Sequence, residues 1–363
     1  MNLEHNSGWQ PGMRAFAAGL ACVATLCGVV RAQRNAAQQD PAQQNLTLPD
    51  LPNPYRMVAD FITMPGGRTL GSTNAIAVDG KRHIWVFERC GANSCANSTV
   101  DPILEFDPSG KLIRSFGAGR FVFPHALIFD RDGNMWIIDA GVVENVKGSQ
   151  IFKYSPDGKL LLTLGKPGIR ATATSADLFN EPSDLAIATN GDLYVADGHI
   201  AAESNGRVVH LNKNGKFIEA WGTKGSGPGQ FDCPHSIALD SKGRIFVGDR
   251  NNNRIQILSP RGEFIAEWRQ FGRPSGVRIL NDTLYVADSE SRNAPGQYGY
   301  NPGFHRGIRI GSVNDGIVRA FIPDPAPKSN ASFPEGISVD RNGTIWGASI
   351  GDRQVTRFTP LKP

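Results

Sequence analysis

One segment recurs six times in this chain: an apolar run, a tight polar turn and a second apolar run. The copies are TNAIAVDGKRHIWVFER (Thr73–Arg89), PHALIFDRDGNMWIID (Pro124–Asp139), PSDLAIATNGDLYVAD (Pro182–Asp197), PHSIALDSKGRIFVGD (Pro234–Asp249), PSGVRILNDTLYVAD (Pro274–Asp288) and PEGISVDRNGTIWGAS (Pro334–Ser349). An Asp-Gly or Asn-Gly turn between two such runs closes a hairpin. Most copies continue with a third run (ILEFD, IFKYS, VVHLN, RIQIL), a further glycine turn and a fourth run (LIRSFG, LLLTLG, FIEAWG, FIAEWR). Four short antiparallel strands per unit, repeated six times, predict an all-β, six-bladed propeller. At 363 residues the chain exceeds an ordinary single core, but each blade of a propeller adds its own layer. The sixth copy stops after VTRFTP without a fourth strand. The segment Arg56–Ile62 (RMVADFI) precedes the first copy and is expected to supply it, closing the ring and removing an open sheet edge.

The repeats also place chemistry. The innermost strand of each blade begins just after the proline, or after Thr73 in the first copy. That position is Asn74, His125, Ser183, His235, Ser275 or Glu335. Strand two runs back to the same face, so a second set joins the first at one mouth: Arg89, Asp139, Asp197, His199, Asp249, Arg250, Asp288 and Glu290. His125, His235 and Glu335 fall in alternate blades, about 120° apart in a six-bladed ring, and can point at one central ion. Two histidines and a carboxylate with open positions form a catalytic metal set for zinc, and also for non-haem iron. The aspartates that end strand two are a repeat feature, and the expectation for Asp197 and Asp249 is that they cap turns. Arg89 and Arg250 have no evident core partner. At such a mouth they are expected to clamp an anion through paired hydrogen bonds. A long insertion in the fifth unit, Ser289–Gly307, brings Tyr298, Tyr300 and His305, with Tyr298 and Tyr300 as candidate substrate contacts.

Arg14, the apolar stretch Ala15–Val30 and the small residues ending at Ala32 have the pattern of a secretory signal peptide over residues 1–32. The stretch falls short of the ~20 apolar residues a spanning helix needs. Residues 33–54, rich in Gln, Asn, Ala and Pro, read as a disordered linker, and residues 55–363 as the propeller. The expectation is a secreted or periplasmic protein with no membrane association after cleavage. A net charge of +4 without a basic run gives no support for a nucleic-acid partner. Of the five cysteines, Cys22 and Cys27 leave with the signal. Cys90 and Cys95, in ERCGANSC, are expected to pair in an oxidising compartment. Cys233 is left single, and a buried bystander thiol is the favoured reading over a ligand.

The segments FPHALIFDRDGNMWIID, GQFDCPHSIALD and VGDRNNNRIQI resemble the lyase domain of the peptidylglycine alpha-amidating enzymes, a six-bladed propeller of NHL type. The resemblance runs from about Gly71 to Phe358. It implies zinc held by three histidines, two arginines and a tyrosine around the substrate, and cleavage of a peptidyl alpha-hydroxyglycine to a peptide amide and glyoxylate. By motif position His125 and His235 match two zinc histidines, and Arg250 and Arg89 match the arginines. Three positions depart from the pattern. Glu335 stands at the third histidine, Gly336 at a calcium-binding aspartate, and His199 follows VADG where the family has its tyrosine. The calcium site is therefore not expected to carry over. The expected function is an exported, metal-dependent lyase acting on a small-molecule or peptide substrate that bears a carboxylate or hydroxyl. The metal set is His125, His235 and Glu335, zinc first and iron second, with Arg89, Arg250 and His199 as catalytic groups. A metal-dependent lactonase or esterase and a non-catalytic binding propeller are the rivals.

Overall fold

Strand alternation decides which core each side chain enters. In blade two, Met135 and Ile137 pack into a cluster with Trp85, Phe87 and Ile103 of blade one. Their neighbours Trp136 and Ile138 point the other way and pack against Leu185, Val195 and Val209 of blade three. A strand with apolar residues on both faces must be covered on both faces, and stacked blades do this. Equivalent clusters lie between blades three and four, four and five, and five and six. A last one joins six to one, with Trp346, Ala348 and Val355 against Ile76, Val86 and Leu104. The innermost strands touch their neighbours around the whole circle, including the sixth against the first.

The structure, a computed structural model, describes residues 51–327 and 333–361. The expected signal peptide and nearly all of the expected linker lie outside the described residues. Six four-stranded antiparallel sheets are present. Five are continuous in sequence. The sixth combines Gly336–Val339, Ile345–Ala348 and Val355–Pro360 with Tyr55–Val58 at its outer edge. Tyr55 pairs with Pro360 and Val58 with Arg357. The closing strand thus starts one residue before the predicted segment and ends four residues earlier.

The repeated turns form for a local reason. The carboxylates of Asp79, Asp130, Asp240 and Asp340 each accept hydrogen bonds from the backbone N–H groups two and four residues on. The side chain thereby supplies the partners that a tight turn leaves missing.

A candidate metal and anion site at the propeller mouth

Three of the ring residues, His125, Ser183 and His235, sit at strand bulges. In blade two Pro124 pairs with Asp139 and Ala126 with Ile138, so His125 is the extra, unpaired residue. Ser183 and His235 occupy the same bulges in blades three and four. A bulge re-aims one side chain without disturbing the rest of the ladder. The aspartates ending strand two hold the segment entering each bulge. Asp139 accepts from the N–H groups of Val122 and Phe123. Asp197 accepts from Asn180 N–H and pairs with Arg207 at 2.7 Å, and Asp249 accepts from Asp232 N–H and pairs with Arg254 at 2.8 Å. Asp197 and Asp249 are therefore structural, as their repeat position suggested.

His125, His199 and His235 converge. One nitrogen from each lies within 4.8 Å of the others, and all three side chains are buried. His125 Nδ1 is 2.6 Å from the Ser183 carbonyl oxygen, and His235 Nδ1 is 2.7 Å from that of Ser275. A carbonyl only accepts, so both Nδ1 atoms carry the proton and both Nε2 atoms present a lone pair. The accepting residue in each case holds the ring position of the next blade. Burial, followed by the charges around them, pushes all three imidazoles well below their usual pKa, so they stay neutral. His125 Nε2 and His199 Nε2 are 3.0 Å apart.

Glu335 lies outside that trio. Its Oε1 is 3.2 Å from His235 Nε2 and 3.5 Å from Arg250 Nη1. The contact with His235 is close but lacks hydrogen-bond geometry, and His235 Nε2 is left without a hydrogen-bond partner. Asn74 Oδ1 and Arg250 Nε are also buried and unpartnered. Buried polar atoms are nearly always satisfied. Three of the exceptions among the described residues gather around this mouth.

The arginines differ from each other. Arg250 Nη1 sits 3.5 Å from Glu335 and 3.7 Å from Glu290, so two carboxylates already balance it loosely. Arg89 touches no carboxylate. It donates to the Pro124 carbonyl and to Asn93 Oδ1, and lies 3.5 Å over the face of Phe123. Burial first, and then Arg250, bring its pKa down to about 10, against a favourable pull from Glu335. A buried cation without a counter-charge attracts an anion.

The blade-five insertion reaches this mouth in part. Arg273 lies 4.8 Å from the Tyr298 ring centre, pairs with Glu290 and donates to the Arg250 carbonyl. Tyr300 is held through its carbonyl by Asn253. His305, expected at the same mouth, instead lines a cavity with Leu51, Asn53, Phe321 and Pro323 beside the outer strand of blade five. Gly307 ends the insertion by pairing with Pro323 of that outer strand, which draws its neighbour His305 to the periphery. Cys90 and Cys95 form the disulfide. Cys233 is buried, and burial raises its pKa to about 11, so it remains a thiol.

Sequence reading did not place His199 among converging imidazoles, nor Phe123 beneath Arg89. His199 belongs to no repeat position, since it lies two residues past the end of strand two. The signal for Phe123 was its place directly before Pro124-His125. Gly336 has a steric reason: a Cβ there would come 1.5 Å from the Asn74 carbonyl oxygen. An aspartate has no room on this backbone.

A family model described as NHL repeat matches residues 179–211 and 231–258, in blades three and four. The chain is a six-bladed propeller that carries NHL repeats in blades three and four. It is 30% identical over 332 residues to peptidyl-glycine alpha-amidating monooxygenase B of Xenopus laevis, covering 81% of this chain and 34% of that protein. This NHL-repeat propeller thus spans about a third of the length of that relative. It is 31% identical over 249 residues to peptidyl-alpha-hydroxyglycine alpha-amidating lyase 1 of Drosophila melanogaster, covering 60% of this chain and 42% of that one. NHL repeat-containing protein 3 of Homo sapiens matches at 28% identity over 300 residues, with 80% of each chain covered. Among solved structures, a gluconolactonase from Xanthomonas campestris superposes with a TM-score of 0.55 at 13% identity, over 85% of this chain and 90% of that one. That likeness is one of fold.

Proposed function

We propose that this propeller is a metal-dependent lyase of the amidating type, acting at the mouth on a hydroxylated substrate that carries a carboxylate. The reading rests on one observation above all: three buried, neutral imidazoles converge, two of them locked by carbonyls at Nδ1 so that Nε2 presents its lone pair to the cluster. The donor set fits a divalent metal, zinc first. His125, His199 and His235 would hold it, with Glu335 beside them. The carbonyl contacts are the outer-shell partners that metal-bound histidines use. A metal held there supplies Lewis-acid stabilisation of negative charge on oxygen.

The protein's own groups do the rest. Arg89 binds the substrate carboxylate, and Arg250 assists as its hold on Glu290 and Glu335 loosens. This fixes the hydroxyl-bearing carbon toward the histidines. Glu335 accepts the hydroxyl proton as the carbon–nitrogen bond breaks and the carbon–oxygen double bond forms. The same proton then passes to the departing amide nitrogen, so a peptidyl alpha-hydroxyglycine gives an amide and glyoxylate with atoms balanced. The name of the Drosophila relative supports this substrate class. The Cys90–Cys95 disulfide supports work in an oxidising compartment, in line with export.

Metal analysis of the purified protein, together with glyoxylate release from a peptidyl alpha-hydroxyglycine, tests the reading. One metal per chain and glyoxylate formation are expected, and both should be lost in His125→Ala. Glu335→Gln should keep the metal and lower turnover by about 10²–10⁴-fold. A protein that binds no metal and releases no glyoxylate overturns the proposal. Uptake of solvent oxygen into an acid product would instead mark a hydrolase.

A further inference from the structure

One to three residues beyond the ring positions, blades three, four and five are joined by a polar clasp. Asp184 Oδ2 accepts from Ser236 Oγ at 2.6 Å, from Ile237 N–H at 3.2 Å and from Arg278 Nη1 at 2.8 Å. Ser236 Oγ in turn accepts from Val277 N–H at 3.0 Å and from Arg278 Nη1 at 3.2 Å. Arg278 Nη1 also donates to the Val277 carbonyl at 2.8 Å. The serine spends its single hydrogen on Asp184, and its lone pairs take the other two contacts. Asp184 and Ser236 are buried, with 3% and 2% exposure.

Neighbouring blades share no backbone ladder, because each sheet begins afresh at its innermost strand. Their spacing at the axis therefore depends on side chains. The equivalents of Asp184 in blades one, two and six are Ala75, Ala126 and Gly336, which offer no polar group. The clasp is confined to the arc that carries the histidine anchors. Asp184 follows Ser183, whose carbonyl takes His125 Nδ1. Ser236 follows His235. Val277 lies two residues past Ser275, whose carbonyl takes His235 Nδ1. Asp184 is buried and Arg278 partly exposed; an ion pair with a buried member is weak evidence for stability, and its best-attested use is to fix register.

We infer that Asp184 and Arg278 are positioning residues, which act through Ser236 to fix the Ser183 and Ser275 carbonyls against His125 and His235 and so set the direction of both Nε2 atoms. The inference rests on the functional reading of the histidine trio, but its geometry can be tested without metal.

The experiment compares the metal-free wild-type chain with the double variant Asp184→Asn/Arg278→Met, which leaves no uncompensated buried charge. Asp184→Asn alone is the milder variant. The readout is the imidazole Nδ1–H signals of His125 and His235, assigned by nitrogen-15 NMR, and their exchange with solvent. Both protons should exchange at least about tenfold faster in the variants, as expected for a local opening. Zinc titration should show an affinity about 10–100-fold weaker, the usual cost of losing an outer-shell partner. Asp324→Asn, which breaks the buried Arg306–Asp324 pair of blade five away from the axis, is the control and should leave both signals unchanged. Unchanged Nδ1–H exchange in both clasp variants overturns the positioning role, whatever happens to the melting temperature. Failure of the wild-type chain to bind zinc would sink the metal reading alone, since the ring protons still decide the clasp.

Discussion

Arg89 is a cation held between an aromatic face and two neutral oxygens, with no carboxylate in contact. Arg250, by contrast, has Glu290 and Glu335 to balance it. The two replacements should therefore differ. Arg89→Ala should weaken binding of glyoxylate by about 1.5–3 kcal/mol, the range for a charge-assisted contact, with the fold intact. Arg250→Ala should also lower the melting temperature, because it leaves the buried Glu335 without its arginine, whereas Glu290 keeps Arg273. Calorimetric titration beside a thermal melt separates the outcomes, and unchanged glyoxylate affinity in Arg89→Ala removes the anion role. Asp139 offers a second residue-level prediction. Burial raises its pKa to about 7, against the pull of the Phe123 and Val122 N–H groups. The folded chain then holds a proton that the unfolded chain releases near pH 4. Between these values the folded state binds more protons, so this group's contribution to stability falls as pH rises. The stability difference between wild type and Asp139→Asn should shift against the wild type from pH 4 to 7, by as much as about 1.4 kcal/mol per pH unit. A flat difference curve from denaturant titrations would refute it. At this scale the sequence exposed His125, His235 and both arginines, because they recur or stand out against a repeat. It did not show that His199 swings in beside them, since a loop residue past the strand end has no periodicity to read.

The blade is the element that the sequence displays most fully. Tight polar turns, most with glycine, fix the hairpins, and alternation assigns each strand face to one of two inter-blade cores. The bulges were less legible. A bulge adds one residue to one strand, and only its partner strand reveals the surplus. A proline precedes each bulged residue, but Pro274 and Pro334 precede Ser275 and Glu335 without a bulge. Gly336 shows how tightly these strands approach. Gly336→Ala would press a methyl group against the Asn74 carbonyl of the next blade. The expected cost is about 3 kcal/mol or more, at the upper end of overpacking, together with loss of order at Asn74. Equal denaturation midpoints for Gly336→Ala and wild type would show that the strands separate more easily than this spacing implies.

For the whole molecule, closure by the N-terminal strand was expected from a missing fourth strand in the last repeat, and Tyr55–Val58 supplies it. Removing residues through Val58 should expose the Val355–Pro360 edge. The shortened chain should melt at lower temperature and self-associate, as open sheet edges do. A truncated chain that stays monomeric with an unchanged melt, by light scattering and calorimetry, would show that the other three strands suffice. The placement of that strand also has a consequence in time. Tyr55 faces Pro360, so a segment made before the first blade must wait for one made after the other five. Blades one to five can assemble in order as they emerge, since domains and repeats fold as they are synthesised. The sixth cannot, because its strands lie on either side of the other five blades in the chain. Until the final strand is released, the nascent chain is an open arc, and its last step is a ring-closing contact of high sequence separation, the kind that slows folding.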